Sequence, residues 1–266
     1  MRLIVPIKQV PETSNVKMDP ETGTMVRSGV EAIVNPLDLY AIEAALRLRE
    51  AHGGQVVALS MGPPAADKAL REAMAMGCDE AVLLSDRRFA GSDTWATAYA
   101  LAQAIRKLGP FDLIICGERA TDGDTGQVGP GIASFLGLPA ITYVSKIGEL
   151  ADGGVRVERL VEGGRERLWA ALPAVLTVVK EIAYPRLPTL RGKQRARQAQ
   201  VPVWGPPEIE AREDWLGLKG SPTRVVKIEK PQVARQGELI RIKESEDVDR
   251  AVDAVMARLR EWRILS

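Results

Sequence analysis

The chain has 266 residues, with 36 Lys or Arg, 35 Asp or Glu and 45% hydrophobic residues, so its formal net charge is +1. This composition excludes global disorder, and the near-neutral charge argues against broad, sequence-independent binding of nucleic acid. No apolar run approaches the roughly 20 residues that cross a bilayer, and none resembles a secretion signal, so we expect a cytoplasmic protein without membrane insertion.

The chain is poor in the residues that catalysis and metal binding use most. Cys78 and Cys116 stand apart, without Cys-x-x-Cys spacing, which argues against structural zinc and a disulfide framework. The single histidine, His52, lies in a polar turn after a predicted helix, where it suits neither a catalytic triad nor a metal site. We therefore expect no catalytic residue and no metal ligand.

Buried strands and helices alternate over the first 140 residues. Four short apolar runs predict strands, at residues 2–7, 55–59, 81–84 and 113–116. Asn35 as a cap and Pro36 at the first position predict a helix start, and later helices are expected at 64–76, 92–108 and up to 136. A short hairpin strand is expected at 24–26. The alternation predicts a doubly wound, parallel α/β sheet.

The pattern changes after residue 140. Residues 155–159 and 165–169 alternate around a Gly-Gly turn and predict an antiparallel hairpin, and 174–179 reads as one more buried strand. From Tyr184 several prolines interrupt the chain, which predicts an extended arm over residues 184–266, distinct from an α/β domain at 1–183. The arm ends in a helix from about Ser245, whose apolar stripe contains Val248, Val252, Val255, Leu259 and Trp262.

The segment from 116 to 129 is the strongest candidate for a ligand site. It leaves the carboxyl end of a strand and enters a helix, where doubly wound folds place ligands. Gly123, Gly126 and Gly129 allow close backbone approach, while Thr125 and the helix start suit a phosphate. The segment is neither a G-x-G-x-x-G fingerprint nor a Walker A loop. The alternative is a structural turn, with Asp122 capping the helix.

Other strand ends are expected at the same edge of the sheet. They are residues 6–8, residues 60–63, and Asn35 with Asp38. Singly each reads as a turn or a cap, but together they describe a crevice open to a nucleotide.

A basic stretch at 186–197 contains five cations and no acid. Such a stretch can simply be solvated surface. Leu187 and Leu190 lie among its cations, however, and an exposed leucine ringed by positive charge suits docking to an acidic protein partner.

The sequence resembles the β subunit of electron transfer flavoprotein almost from end to end. The motifs that carry the resemblance are VPIKQVP (5–11), NPLD (35–38), SMGP (60–63), AMAMG (73–77), ATDGDTGQ (120–127), LPAVLT (172–177), YPR (184–186) and TL (189–190). The resemblance implies a Rossmann-like fold of the adenine nucleotide alpha hydrolase type. It also implies a heterodimer with a larger α subunit, onto which the C-terminal arm wraps. The activity implied is electron transfer from acyl-CoA or other dehydrogenases to a downstream acceptor, with a quinone oxidoreductase as one onward route.

In that family the β subunit holds an adenine nucleotide. Carried onto this sequence, the cofactor contacts fall on Pro6, Asn35, Pro36, Leu37, Asp38, Met61, Thr94, Thr97, Gly117, Arg119, Ala120, Thr121, Asp122, Gly123, Asp124, Thr125, Gly126, Gln127 and Val128. The family's partner-recognition loop falls on residues 184–195, with Leu190 as its anchoring leucine. The partner contacts expected in it are Arg186, Leu187, Leu190 and Arg191.

Three segments look like the electron-bifurcating, FixA-like branch of the family: KQVPET (8–13), GSDTWAT (91–97) and DGDT (122–125). In that branch the site holds the ADP half of a second FAD, completed by the α subunit, whereas other members hold AMP. AMP-binding members typically carry an Asn where this chain has Gly126. We therefore expect FAD, with AMP as the alternative occupant.

Two other functions on the same fold group stay open. An ATP-using enzyme would usually carry an S-G-G-x-D-S type loop after the first strand, but residues 8–12 contain no glycine. A nucleotide-sensing module would explain the crevice but not the long arm. An electron carrier needs no acid, base or nucleophile, because its cofactor performs the chemistry.

Overall fold

The computed structural model describes residues 1–12, 32–226 and 239–265. The strands in these residues are β1 Arg2–Pro6, β2 Gln9–Pro11, β3 Ala32–Val34, β4 Gln55–Met61, β5 Glu80–Leu84, β6 Leu113–Gly117, β7 Ala140–Ala151, β8 Gly154–Val161, β9 Gly164–Ala171, β10 Ala174–Val178 and β11 Val203–Trp204. The helices are α1 Pro36–His52, α2 Asp67–Met76, α3 Thr94–Leu108, α4 Val128–Leu136, α5 Leu190–Gln198, α6 Gly217–Gly220 and α7 Ser245–Glu261.

Nine strands form one sheet in the order β11-β5-β4-β1-β6-β10-β7-β8-β9. The strands from β11 to β7 run parallel, which confirms the predicted doubly wound sheet, and β7, β8 and β9 continue it as antiparallel strands. The chain winds from β1 through β4 to β5 and then resumes on the other side of β1, at β6. The winding direction therefore reverses between β1 and β6, where such sheets bind ligands.

The sheet is buried on both faces because successive side chains of β1 point to opposite sides. Leu3 and Val5 pack with α1 and α2 on one face, and Ile4 packs with α3 and α4 on the other. All three side chains are fully buried. The continuous apolar run predicted as a strand is thus a strand covered by helices on each side.

The predicted hairpin is present and longer than expected. β8 and β9 pair antiparallel along their whole lengths, from Gly154↔Ala171 to Val161↔Gly164. Near the start of the chain, β2 pairs with β3 in a separate two-stranded sheet. The strand predicted at 24–26 lies outside the described residues.

Two predicted helix starts are displaced. α3 begins at Thr94 rather than Ser92, because the Asp93 carboxylate caps it by accepting from the N–H groups of Trp95 and Ala96, both at 3.0 Å. The Ser92 hydroxyl instead donates to the Phe89 carbonyl. The helix predicted from residue 64 starts with a 3₁₀ turn at Pro64–Ala66 before α2 begins.

The segment after residue 184 differs from the expected extended arm. α5 packs on α2, where the Arg195 guanidinium donates to the carbonyls of Met74 and Cys78, both at 2.8 Å. β11 then adds to the edge of the sheet beside β5. Apolar periodicity did not indicate α5 because polar groups hold it, and Ala196 is its only buried residue.

The chain divides into two compact units, Met1–Val226 and Lys227–Ser266. The boundary expected at residue 184 therefore falls inside the first unit. The second unit contains α7, which begins at Ser245 as predicted and is capped by the side chains of Glu244 and Asp247. Within this unit the valines of its apolar stripe are exposed: Val248, Val252 and Val255.

Candidate nucleotide crevice

The predicted site residues converge where the winding reverses between β1 and β6. β1 ends at Pro6, two residues before Lys8, while β6 ends at Gly117. Residues 117–128, here called the glycine loop, lead from β6 to α4. The start of α1 lies against the residues that follow β1, since the Asn35 N–H donates to the Lys8 carbonyl at 2.8 Å.

Asn35 ties the start of α1 to the glycine loop. Its side-chain amide donates to the Arg119 carbonyl at 2.9 Å, and its side-chain oxygen accepts from the Thr121 N–H at 3.2 Å. The predicted cap position is correct, but the side chain forms no capping hydrogen bond with α1. Asn35 is buried, so both loop groups find their partner in a side chain shielded from water.

Asp38 is a buried carboxyl directly beneath the crevice. It accepts a hydrogen bond from the Lys8 N–H at 2.7 Å. Burial raises its pKa to about 7, against the opposing effect of hydrogen bonds from Lys8 and Asn35. Gly117 is required here, because a Cβ on it would lie 2.4 Å from an Asp38 carboxylate oxygen and 2.9 Å from the Leu37 backbone.

The cations of the site are already paired with acids of the glycine loop. Lys8 Nζ lies 2.6 and 2.7 Å from the two Asp122 carboxylate oxygens. Arg119 Nε lies 3.1 Å from Glu118 and 3.2 Å from Asp124. An anionic ligand would therefore rely on backbone N–H groups, unless it displaced one of these carboxylates.

The exit of the glycine loop supplies such N–H groups. α4 begins at Val128 with Gln127 at its cap position, so the alternative interpretation of Asp122 as the cap is wrong. The N–H groups of Val128 and Gly129 precede Gly131, whose N–H bonds the Gln127 carbonyl. Gly129 lets α4 approach the sheet, because a Cβ there would lie 2.6 Å from the Thr177 methyl group.

Two expected contacts from different elements meet at the far side of the loop. The Thr94 hydroxyl, on the first residue of α3, donates to the Gln127 side-chain oxygen at 2.8 Å. Gly126 adopts a φ of 64° and Asp124 a φ of 53°, both in the left-handed region. Residues 121–125 form the tip of the loop and are exposed, so the tip is accessible to a ligand.

The remaining expected contacts lie at the ends or starts of the neighbouring elements. Pro6 is buried at the end of β1, Pro36 is exposed at the start of α1, Met61 is half-buried at the end of β4, and Thr97 is half-buried one turn along α3. Sequence reasoning named Lys8 only as part of a strand end and missed its ion pair. The signal was present, since Lys8 lies two residues beyond the carboxyl end of β1.

The expected partner-recognition segment lies elsewhere on the first unit. Leu187 and Leu190 are each 86% exposed, and Arg191 is also exposed. Arg186 is instead engaged within the chain, with its guanidinium Nε 2.8 Å from a Glu43 carboxylate oxygen.

Other chemistries are sparse in the part of the chain that is described. Both cysteines are unpaired and buried, and burial raises the pKa of Cys78 to about 12 and that of Cys116 well above its usual range. No group of three or more His, Cys, Asp or Glu side chains is arranged there to hold a metal ion. None of the helices described has the length and apolar character to span a membrane.

The chain matches known proteins over most or all of its length. A family model described as electron transfer flavoprotein domain matches residues 22–209. Electron transfer flavoprotein subunit beta of Thermoanaerobacterium thermosaccharolyticum is 46% identical, with 100% of both chains covered. Protein FixA of Azorhizobium caulinodans is 42% identical over 97% of this chain and 95% of that protein. The caffeyl-CoA reductase-Etf complex subunit CarD of Acetobacterium woodii is 42% identical over 100% of both.

Proposed function

The chain belongs to the electron transfer flavoprotein family as a β subunit, as its motifs had indicated, and on that premise we propose that it holds an adenine nucleotide in the crevice between β1 and β6. The observation that carries the proposal is the convergence of Asn35, Asp38 and the glycine loop at the winding reversal of the sheet. Electron transfer is the function of this family. The nucleotide, the partners and the site residues are our proposals.

The crevice residues fit an adenine nucleotide in their chemistry. Gly123 has open space around its Cα, so a ligand can approach the backbone of the loop there. The start of α4 offers N–H groups and the positive end of a helix dipole to a diphosphate. The Thr94–Gln127 pair and the buried amide of Asn35 hold the loop in shape from two sides.

We propose FAD rather than AMP as the occupant, with the α subunit completing its site. Thr94 on α3 and Gly126 in the loop are features of the branch that holds a second FAD, and here Thr94 bonds the loop directly. When bound, the flavin supplies reversible redox chemistry, while the chain binds and orients it. The residues expected to hold it are those of the glycine loop, Asn35 to Asp38, Thr94 and Thr97.

The partners follow from the same family role. A larger α subunit would form the heterodimer, and the exposed valines of α7 offer an apolar stripe for it to cover. Acyl-CoA or other dehydrogenases would supply electrons at the exposed leucines Leu187 and Leu190, with a quinone oxidoreductase as one onward acceptor. We place the heterodimer in the cytoplasm, acting as an electron carrier without substrate chemistry of its own.

The decisive experiment is to co-express the chain with its α subunit, denature the purified complex and count FAD and AMP per heterodimer. Two FAD and no AMP would support the proposal in full. One FAD and one AMP would retain the nucleotide-binding role but overturn the choice of FAD. A complex with no nucleotide assigned to the β subunit, or a chain that hydrolyses ATP, would contradict the nucleotide-holding role.

A further inference from the structure

A buried ion pair fastens the segment that precedes α5. Glu43, on α1, has a side chain only 3% exposed. Its carboxylate accepts from the Arg186 backbone N–H at 3.1 Å, from Arg186 Nε at 2.8 Å and from Arg186 Nη2 at 3.2 Å. Glu50 lies further along the same helix, and its carboxylate accepts from Arg186 Nη2 at 3.0 Å and also from Nη1. Arg186 is thus held by two carboxylates of α1.

The ionisation of this cluster is set within the chain. Burial opposes ionisation of Glu43, but hydrogen bonds from Arg186 and Arg47 outweigh it and lower its pKa. Arg47 Nε lies 2.7 Å from Glu43 Oε1, the oxygen that also accepts from Arg186 Nη2. Geometry of this kind, with several hydrogen bonds to one buried carboxylate, fixes a guanidinium more firmly than an exposed ion pair does.

The other end of the segment is fixed by different means. Thr189 caps α5 by accepting from the Gly192 N–H at 2.9 Å. Gly192 lies against α2 so closely that a Cβ on it would be 2.1 Å from the Ala75 carbonyl oxygen. The segment from residue 184 to 190 is therefore anchored on α1 at one end and on α2 at the other.

Three large apolar side chains of this stretch face solvent, one just before the Arg186 anchor and two after it. Tyr184 is 88% exposed, and Leu187 and Leu190 are each 86% exposed. Exposed cations follow directly, at Arg191, Lys193 and Arg197. An apolar projection beside several cations suits an apolar pocket with an acidic rim on a partner.

We propose that Arg186 is a positioning residue, held by Glu43 and Glu50, which sets Leu187 and Leu190 in their docking geometry before a dehydrogenase arrives. This inference rests on the proposed function, since it takes the dehydrogenase as the partner at these leucines. Holding the segment in advance removes part of the ordering cost of association. The anchor is also the helix whose first turn shapes the crevice, and Glu50 lies about 18 Å along the axis from Asp38. One rigid helix thus relates docking segment and crevice.

The test uses the purified heterodimer as electron acceptor for an acyl-CoA dehydrogenase reduced by its acyl-CoA substrate. Glu50→Gln removes the negative charge and one of the two acceptor oxygens that Glu50 offers Arg186, at an exposed position, so the fold survives. Glu149→Gln is a matched control that removes one exposed carboxylate from β7. We expect Glu50→Gln to raise the KM for the heterodimer about three- to tenfold with kcat and flavin content unchanged. Glu149→Gln should match the wild type.

Leu190→Ala, alone and combined with Glu50→Gln, separates the positioning role of Arg186 from the proposed docking at the leucines. If the clamp acts through the docking leucine, the double variant is no worse than Leu190→Ala alone. A raised KM for Leu190→Ala with an unchanged KM for Glu50→Gln would overturn the positioning role of Arg186 and leave the docking site intact. An unchanged KM for Leu190→Ala would instead overturn the docking site itself.

Discussion

The side-chain amide of Asn35 donates a hydrogen bond to the carbonyl oxygen of Arg119 at 2.9 Å, joining residues that are far apart in the chain. The oxygen of the same side chain accepts from the N–H of Thr121, two residues after Arg119. Asn35 is buried, so its two bonds define how the first half of the glycine loop sits over α1. An amide is well suited to this position because it donates and accepts at once.

Removing that amide should loosen the loop. Asn35→Ala leaves the Arg119 carbonyl and the Thr121 N–H without their partner, and we expect a loss of about 1–3 kcal/mol in the free energy of unfolding. Nucleotide affinity should fall with it, by about tenfold, because the loop must then be ordered on binding. Chemical denaturation and nucleotide titration measure the two effects. Unchanged values for both would show that the amide does not shape the loop.

Substitution by alanine should lower the stability of the protein at one glycine of the loop and leave it unchanged at another. Gly117→Ala would place a Cβ against Asp38 and Leu37, and we expect it to cost about 1–3 kcal/mol of stability. Gly123→Ala meets no atom within 4 Å and should leave the stability of the nucleotide-free protein unchanged. If a phosphate approaches the loop tip, Gly123→Ala should nevertheless weaken nucleotide binding. Thermal unfolding and titration of both variants test this contrast.

The Thr94 hydroxyl should contribute to nucleotide binding through Gln127. Thr94→Val keeps the shape of the side chain and removes the bond to Gln127, so we expect affinity to drop by about 0.5–1.5 kcal/mol, or roughly two- to tenfold. Thr142→Val is the matched control, because Thr142 lies on β7, outside the residues expected to hold the nucleotide. Equal affinities for the two variants would remove Thr94 from the site.

Asp38 should make stability depend on pH near neutrality. Its pKa rises from 3.8 to about 7 on burial, so the folded chain binds more protons than the unfolded chain between these values. The stabilising contribution of the protonated form is complete below about pH 4 and is lost as pH rises through 7. Lys8 and Asp122 are the charged groups that face it.

Asp38→Asn should flatten this dependence, since the amide oxygen still accepts from the Lys8 N–H and carries no charge. As pH rises from 5 to 8.5, we expect the free energy of unfolding of the variant to increase relative to that of the wild type by on the order of 2–4 kcal/mol. Urea unfolding at the two pH values measures the gain. Parallel stability profiles for the two proteins would mean that Asp38 ionises without penalty in the folded state.

The repeating part of the fold was predictable, and the contacts that close the site were not. Strands such as β1 and β6 are continuous apolar runs, so their burial on both faces is readable from composition. The Lys8–Asp122 pair joins residues distant in sequence, and nothing in the sequence around either residue indicates its partner. Asn35 reads locally as a helix cap, because only the folded chain brings Arg119 and Thr121 beside it.

The same limit explains why the sequence did not predict α5. α5 is held on α2 by guanidinium groups bonded to backbone carbonyls and by the close approach at Gly192. Such contacts leave no apolar stripe, so the periodicity that identified α7 had nothing to detect in α5. Proline content correctly indicated irregular backbone but said nothing of where that backbone lies.

The two residues of β11 have a consequence for how the protein avoids self-association. Without them, β5 would present a row of unpaired backbone groups at the edge of the sheet, a template for strands of other molecules. Hydrogen bonds make this cover firm, since the N–H groups of Leu83 and Ser85 donate to the carbonyls of Pro202, just before β11, and Trp204, within it. The opposite edge, β9, carries Arg165, Glu166 and Arg167, whose charges discourage strand addition. A fragment ending at residue 183 would keep the crevice sequence intact and yet be prone to aggregate through β5.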